Sequence, residues 1–277
     1  MLLLLTSTAA SELTRSALLR RWPLLAPAVG GLLLEGYSRA PPLQPPALPA
    51  LPALPGTDGG IDLVVVLPGA GGPDANTARI VQELRAARGS ATVVEYDWQA
   101  AAGDQLRAPY SAQRIGARLG QELAGQRRQL RSLHLVGVSV GAFLADAVAT
   151  NYVAAAGAER AHVHLTLLDA FTARGVAGLA RPATAFGVRT FGRSADFCEC
   201  FLNTDDPVPS TSEPLRHAVT YDVTAAAARR AFVPLPGDSL HSWPAAYYGL
   251  FGARARPSLP LHGEAGLPAR GTLVSVP

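Results

Sequence analysis

Short apolar runs rich in valine, isoleucine and leucine recur along the chain and are separated by stretches with helical spacing. The first run, IDLVVVL at residues 61–67, is apolar at nearly every position, which is typical of a strand buried on both faces of a parallel sheet. Strand and helix then alternate, which predicts an α/β fold: a mostly parallel sheet with helices on both faces. The predicted strands are residues 61–67, 91–98, 133–136, 162–168, 197–202 and 217–223.

The length and composition suit a single large domain. The chain has 277 residues, of which 48% are hydrophobic, so one domain can bury a sizeable core; we place it at residues 58–277. All 24 basic residues are arginine, they are scattered, and the formal net charge is only +3, which gives little support to nucleic-acid binding. The absence of lysine excludes Schiff-base chemistry and a phosphate-loop lysine.

Residues 1–57 differ in composition from the rest of the chain. The apolar run from Pro23 to Leu34 is shorter than the about 20 residues needed to cross a bilayer. It favours a targeting segment for export or for an organelle; the alternatives are an interfacial anchor with peripheral membrane contact, or a poorly ordered extension. The repeat PPLQPPALPALPALPG that follows predicts a stiff polyproline II spacer, in which one side is formed by Leu48, Leu51 and Leu54.

One predicted strand ends in Gly137-Val-Ser-Val-Gly141 and passes directly into an alanine-rich helical pattern. A strand, a sharp turn and a helix in this order form a nucleophile elbow, which exposes a serine hydroxyl at the turn. The glycines have a steric reason, because side chains two residues either side of the serine would collide with neighbouring chain. We therefore predict that Ser139 is a nucleophile.

A serine nucleophile needs a base that accepts its proton and a carboxylate that orients the base. Chains with this motif carry the three groups in the order Ser, Asp or Glu, His, which leaves three of the six histidines as candidates. His241 lies in a loop beyond the last of the six predicted strands and is the predicted base. His217 opens a strand and His262 lies in a Pro/Gly-rich tail, so both are interpreted as ordinary polar residues.

Two aspartates compete for the role of the acid. Asp169 follows the strand after the nucleophile helix, and Asp206 follows the next strand along the chain. Each falls at the carboxyl end of a strand, where the sites of open parallel sheets gather. The spacing alone does not choose between them.

These motifs resemble those of the α/β-hydrolase superfamily, and more narrowly its pancreatic-lipase-like branch, over residues 61–248. Asp97-Trp98 is similar to the aspartate-tryptophan with which that branch ends a strand. Residues 134–142 are similar to its nucleophile segment, although Val138 stands where the branch has a histidine. The resemblance implies an α/β-hydrolase-like three-layer sandwich.

The resemblance extends to the remaining site positions. Residues 167–169, Leu-Leu-Asp, are similar to the branch's leucine-aspartate-proline, with alanine in place of the proline, and residues 195–197 and 203–205 are similar to later segments. His241 then falls where the family has its base. In that branch the acid follows the earlier strand, which implies Asp169, with Asp206 as the alternative and Asp205 as a third candidate.

The negative charge formed when a serine attacks a carbonyl needs preorganised N–H donors. One predicted donor is the amide of Val140, directly after the nucleophile. The resemblance implies a second in the loop after the first strand, where Pro68-Gly-Ala70 matches the family's histidine-glycine-x and Ala70 is the donor. The same glycine-rich loop could be a phosphate cradle, but it lacks G-x-G-x-x-G and a lysine, so no nucleotide or other cofactor is predicted.

Three further features have simpler interpretations. Cys198 and Cys200 are two residues apart, too close for ordinary disulfide geometry, and are interpreted as small buried apolar groups. His162 and His164 share a strand face without a third ligand at a suitable spacing, so no metal site is predicted. Ser239 lies in a Gly-Asp-Ser-Leu block that belongs early in another esterase family but comes late here, so Ser239 is interpreted as structural.

Taken together, the residues favour a serine esterase or lipase that hydrolyses a carboxylic ester, small or lipid-like, through Ser139, His241 and Asp169. The preference for a lipid rests on the resemblance alone. One alternative is an acyltransferase with the same triad, in which another acceptor replaces water. The other is a catalytically inactive hydrolase-like binding protein, because Val138 and Pro68 depart from the family pattern.

Overall fold

The computed structural model describes residues 30–54, 60–175, 178, 184–234, 239–255 and 259–277. Its centre is a seven-stranded sheet in which every neighbouring pair of strands is parallel. The strands are β1 (Ile61–Leu67), β2 (Thr92–Glu95), β3 (Leu130–Val138), β4 (His162–Leu168), β5 (Phe197–Leu202), β6 (Val219–Asp222) and β7 (Leu273–Ser275). They lie side by side in the order β2-β1-β3-β4-β5-β6-β7.

Helices fill most connections between the strands. They are α1 (residues 30–39), α2 (Ala75–Ala87), α3 (Gln99–Ala102), α4 (Ala108–Gly125), α5 (Gly141–Ala156), α6 (Phe186–Thr190), α7 (Trp243–Tyr247) and α8 (Ala253–Ala255). A π-helical turn, Tyr248–Gly252, joins α7 to α8, and a 3₁₀ turn, Leu240–Ser242, leads into α7. Among these described helices, none combines the length and the apolar character that crossing a membrane requires.

The helices pack on both faces of the sheet. Successive residues of a strand point to opposite faces, and β1 divides accordingly between two apolar clusters. Leu63 and Val65 belong to the cluster that contains the buried residues of α4 and α5, whereas Val64 and Val66 belong to the cluster that contains those of α2 and α7. The predicted α/β fold with a parallel sheet and helices on both faces is therefore confirmed.

The segment before β1 lies against the domain where it is described. The Tyr37 hydroxyl of α1 donates a hydrogen bond to Asp104 (2.6 Å), and the Tyr110 hydroxyl of α4 donates one to Glu35 (2.9 Å). In the proline-rich repeat, Leu54 is buried, and Leu48 and Leu51 pack against the same cluster as α4 and α5. The predicted targeting segment lies, up to residue 29, outside the described residues.

The last strand was not predicted from the sequence. β7 comes from the Pro/Gly-rich tail and pairs with β6 through Thr220 to Leu273 and Tyr221 to Val274. It has only three residues, two of them exposed, so it carries no apolar run that a sequence pattern can detect.

Because the strands are parallel, their carboxyl ends meet at one edge of the sheet. Residues that directly follow β3, β4, β5 and β6 therefore come close together there.

Candidate active site

Ser139 lies at a strained turn between β3 and α5. Its φ is +52°, and the described non-glycine residues with positive φ are only Ser139, Asp169 and Ser210. The turn is held on both sides, because the Ser139 N–H donates to the Leu168 carbonyl (2.9 Å) and the Ser139 carbonyl accepts from the Phe171 N–H (3.2 Å). Positive φ in a non-glycine residue costs energy and persists where the surroundings enforce it, often at functional sites.

The two glycines of the motif are required by close contacts of the backbone. A Cβ on Gly137 would lie 2.8 Å from the Gly141 carbonyl oxygen. A Cβ on Gly141 would collide with the carbonyl oxygens of Leu67 and Pro68, the second at 2.6 Å. The start of α5 can therefore approach the end of β1 only without a side chain at Gly141, and this approach positions Ser139 beside the glycine-rich loop.

A cavity of about 560 Å³ opens beside Ser139. Its walls come from the loop after β1, the elbow, the loop after β5 and the 3₁₀ turn that carries the predicted base. The lining residues include Gly69, Ala70, Gly71, Gly72, Val138, Ser139, Val140, Phe171, Pro207, Val208, Pro209 and His241. Ser139 and His241 thus face the same space, and most of the wall around them is apolar.

His241 is held from its Nδ1 side by two carboxylates. The Nδ1 atom lies 2.9 Å from Asp169 Oδ2 and 2.8 Å from Asp206 Oδ2. A carboxylate accepts hydrogen bonds, so Nδ1 carries a proton, and in the neutral ring Nε2 is the nitrogen that can accept one. Both residues are described, and no hydrogen bond joins Ser139 Oγ to His241; catalytic hydrogen bonds of this kind often tighten only when substrate binds.

The two carboxylates are more deeply buried than the histidine between them. The exposed fractions of the side chains are 1% for Asp169, 0% for Asp206 and 18% for His241. Asp206 also accepts hydrogen bonds from the Thr211 hydroxyl (2.7 Å) and the Val208 N–H (2.9 Å). Burial of this kind makes ionisation costly unless hydrogen bonds or opposite charge compensate for it.

The three groups shift one another's ionisation. Burial raises the pKa of Asp169 above its usual value, and the hydrogen bond with His241 opposes this only in part. Burial also acts to raise the pKa of Asp206, but hydrogen bonds from His241, the Val208 N–H and Asp169 outweigh it and lower the pKa. For His241, burial alone would lower the pKa, but the hydrogen bonds to both aspartates outweigh it and raise the pKa.

Asn203 connects Asp169 to the turn that carries His241, and the sequence patterns did not single it out for this role. Its N–H donates to Asp169 Oδ1 (3.4 Å), and its side-chain Nδ2 donates to the carbonyl oxygen of Leu240 (3.1 Å), the residue before His241. Asn203 is fully buried. The signal available in the sequence was a polar residue placed directly after an apolar strand, three positions before Asp206.

The two predicted oxyanion donors belong to the loop after β1 and to the turn directly after Ser139. Ala70 and Val140 both line the cavity, and neither amide N–H donates a hydrogen bond to another described residue. The loop of Ala70 is held by the segment after β2, because the Trp98 indole donates to the Pro68 carbonyl (2.8 Å) and Gln99 Nε2 donates to the Gly71 carbonyl (2.8 Å). Trp98 therefore supports a loop that lacks the histidine expected at Pro68.

The other candidates lie elsewhere. Asp205, the third candidate acid, turns away from His241 and pairs with Arg229 (3.4 Å). His217 contacts the Arg189 carbonyl, and His262 Nε2 accepts from the Cys198 N–H. Both cysteines are buried and free. Ser239 caps the 3₁₀ turn by accepting a hydrogen bond from the His241 N–H (3.2 Å).

The same three side chains are also the group of described residues with ligand atoms close enough for a metal ion. Asp169, Asp206 and His241 each offer one such atom, and the three atoms lie within 4.8 Å of one another. Their separations of 2.8 and 2.9 Å from Nδ1 are ordinary hydrogen-bond distances. The contacts in the structure are therefore those of side chains joined by hydrogen bonds.

Comparison of the sequence with models of known protein families gives no match. Comparison with curated proteins gives none either.

Proposed function

We propose that the protein is a serine hydrolase of carboxylic esters, built on an α/β-hydrolase-like sandwich. One observation carries the proposal: Ser139 sits at a strained strand-to-helix turn and faces the same cavity as His241, whose Nδ1 is held by buried carboxylates. A base whose ring is fixed by a carboxylate on one nitrogen, beside a serine that faces the same cavity, is the arrangement that makes a hydroxyl nucleophilic.

The reaction follows from the position of each group. Ser139 Oγ attacks the ester carbonyl while His241 Nε2 takes the hydroxyl proton, and the N–H groups of Ala70 and Val140 stabilise the oxyanion. The imidazolium then gives its proton to the leaving alkoxide, which departs as an alcohol and leaves an acyl group on Ser139. A water molecule, deprotonated by His241 in the same way, releases the acid and regenerates the serine.

The cavity favours a neutral ester with an apolar acyl group. Val138, Phe171 and the Pro207–Pro209 segment form apolar wall. Asp74, a charged residue at the rim, is already engaged, because its carboxylate caps α2 by accepting from the Thr77 N–H (2.7 Å). Apart from Asp74 and His241, the described residues that line the cavity carry no charge, so a charged acyl group would enter this space at a large desolvation cost.

The first experiment compares ester hydrolysis by the wild type and by Ser139→Ala. With p-nitrophenyl butyrate as substrate, we expect kcat to fall by at least about a thousandfold, because loss of the nucleophile leaves only binding and oxyanion stabilisation. Ser194→Ala is the matched control, since its hydroxyl accepts a hydrogen bond from the Thr150 hydroxyl at the surface and does not line the described cavity. Hydrolysis that persists unchanged in Ser139→Ala would overturn the proposal.

A further inference from the structure

Two carboxyl groups lie beside the Nδ1 atom of His241 in this site, whereas a catalytic triad needs only one carboxyl group. Asp169 Oδ2 and Asp206 Oδ2 lie 2.9 and 2.8 Å from the same Nδ1 atom. The single proton on Nδ1 cannot compensate two buried negative charges so close together, and carboxylates that share a site ionise one at a time. At neutral pH one of them therefore keeps a proton.

The hydrogen bonds that each carboxyl group accepts determine which of the two is ionised. Asp206 receives the Thr211 hydroxyl at 2.7 Å and the Val208 N–H at 2.9 Å, in addition to His241. Asp169 receives, besides His241, the Asn203 N–H at 3.4 Å, and no other described residue donates to it. Hydrogen bonds to the charged form favour ionisation, so the anion is stabilised at Asp206 and the proton at Asp169.

We infer that the two aspartates divide the work of the triad acid: Asp206 is the anion that orients His241, and Asp169 is a protonated positioning residue that donates a hydrogen bond to Asp206. This inference deepens the proposed hydrolase function and rests on it for its kinetic consequences. It also reverses the assignment that the family resemblance implies, in which Asp169 is the acid.

The ionisation of the surrounding groups agrees with this division. Burial raises the pKa of Asp169, whereas the combined hydrogen bonds of Asp206 lower its pKa despite burial. Among the described residues, the Cys200 thiol also interacts electrostatically with Asp169, and burial raises the pKa of that thiol so that it stays neutral. The site therefore carries one anion next to His241 at neutral pH.

The backbone fits the two roles. Asp169 sits at φ +46°, directly after β4, and its N–H donates to the Phe201 carbonyl (2.8 Å). Its Oδ1 is tied through Asn203 to Leu240 and so to the turn that carries His241. Asp169 thus fixes the distance between the end of β4 and His241, while Asp206, on the loop after β5, carries the negative charge.

The kinetic test compares Asp169→Asn with Asp206→Asn. An amide at Asp169 still donates a hydrogen bond to Asp206, so we expect kcat to fall by about tenfold or less. An amide at Asp206 removes the anion and should lower kcat by about a hundredfold to ten-thousandfold. Asp206→Glu should restore part of that loss. Asp205→Asn is the matched control, because this neighbouring carboxylate pairs with Arg229 away from the site.

The second readout does not depend on catalysis. In the Ser139→Ala background, the pH titration of the His241 ring is followed by NMR and assigned with His241→Gln. An anion beside an imidazole raises its pKa by about 1 to 3 units, so Asp206→Asn should shift the His241 titration to lower pH by more than Asp169→Asn does. If hydrolysis proves independent of Ser139, the hydrolase function fails while this titration still tests the division of roles.

A larger loss of kcat, or a larger shift of the His241 titration, in Asp169→Asn than in Asp206→Asn would overturn the inference and restore Asp169 as the anion. Equal effects of the two substitutions would overturn it as well, because the two carboxylates would then share the charge equally.

Discussion

Within the described residues, two buried clusters combine histidine and carboxyl groups, and they differ in what surrounds them. The active-site cluster consists of Asp169, Asp206 and His241 at the edge of the sheet. The mid-sheet cluster consists of His134, His164, Thr166 and Glu199 on β3, β4 and β5, where the two imidazole rings stack at 4.0 Å and Glu199 accepts from the Thr166 hydroxyl (2.9 Å). Both clusters are polar, titratable and held by hydrogen bonds.

Their access to solvent separates them. The four residues of the mid-sheet cluster are at most 1% exposed, and none of them lines the cavity. Burial lowers the pKa of His134 well below its usual value, with His164 contributing, and burial also lowers the pKa of His164 although Glu199 opposes it. A buried histidine beside a carboxyl group is therefore not evidence of catalysis by itself. The active-site cluster is distinguished by its cavity, its serine and its strained backbone.

Of the three substitutions that compare the two clusters, Gly141→Ala should have the largest effect, a loss of kcat at the active-site cluster. The added Cβ collides with the carbonyl oxygens of Leu67 and Pro68, so the elbow must move relative to the loop that carries Ala70. We expect kcat to fall by about a hundredfold, the effect of misplacing reacting groups by about 1 Å. Esterase kinetics measure this loss, and Gly125→Ala, which meets no atom within 4 Å, is the control. Unchanged kcat in Gly141→Ala would contradict the described elbow.

Glu199→Ala should affect stability and leave catalysis unchanged. The substitution removes the acceptor of the Thr166 hydroxyl and opens a space among fully buried groups, so we expect the free energy of unfolding to fall by about 2 to 3 kcal/mol. Urea unfolding measures the loss, and kcat/KM of the folded variant should equal that of the wild type. Glu199→Gln, which keeps the side-chain volume, should lose less stability. A fall in kcat/KM in either variant would connect the mid-sheet cluster to catalysis.

Gln99→Ala should have the smallest effect. Its side chain donates a hydrogen bond to the Gly71 carbonyl, in the loop that carries Ala70, while the Trp98 indole continues to hold the same loop at Pro68. We expect kcat/KM to fall about two- to fivefold, the value of one neutral hydrogen bond. Gln121→Ala, on the exposed side of α4, should leave the rate unchanged. An equal decrease in both variants would show that the Gln99 contact does not support the loop.

The sheet was predictable because its strands carry strong signals. β1, β4 and β5 are short segments dominated by β-branched, leucine, phenylalanine and cysteine residues, and the structure has them at the predicted positions. β7 escaped prediction because a three-residue, mostly exposed strand is stabilised by its pairing with β6 and not by its own composition.

The site was predictable only as far as local pattern reaches. Ser139 and its glycines are specified by neighbouring residues, so the motif was visible in the sequence. The choice between Asp169 and Asp206 depends on contacts between two loops, and these two aspartates lie 37 residues apart in the chain. Spacing could place both at one edge of the sheet, but the Thr211 and Asn203 hydrogen bonds that distinguish them are contacts of the folded chain.

The most direct test of the account is to trap the serine covalently. The purified protein is treated with an alkyl fluorophosphonate, digested, and examined by mass spectrometry, with Ser139→Ala treated in parallel. If Ser139 is the nucleophile, the protein should carry one phosphonyl group per chain, attached to Ser139 and absent from Ser139→Ala. A protein that remains unlabelled, or an adduct that persists in Ser139→Ala on another residue such as Ser239, would contradict it.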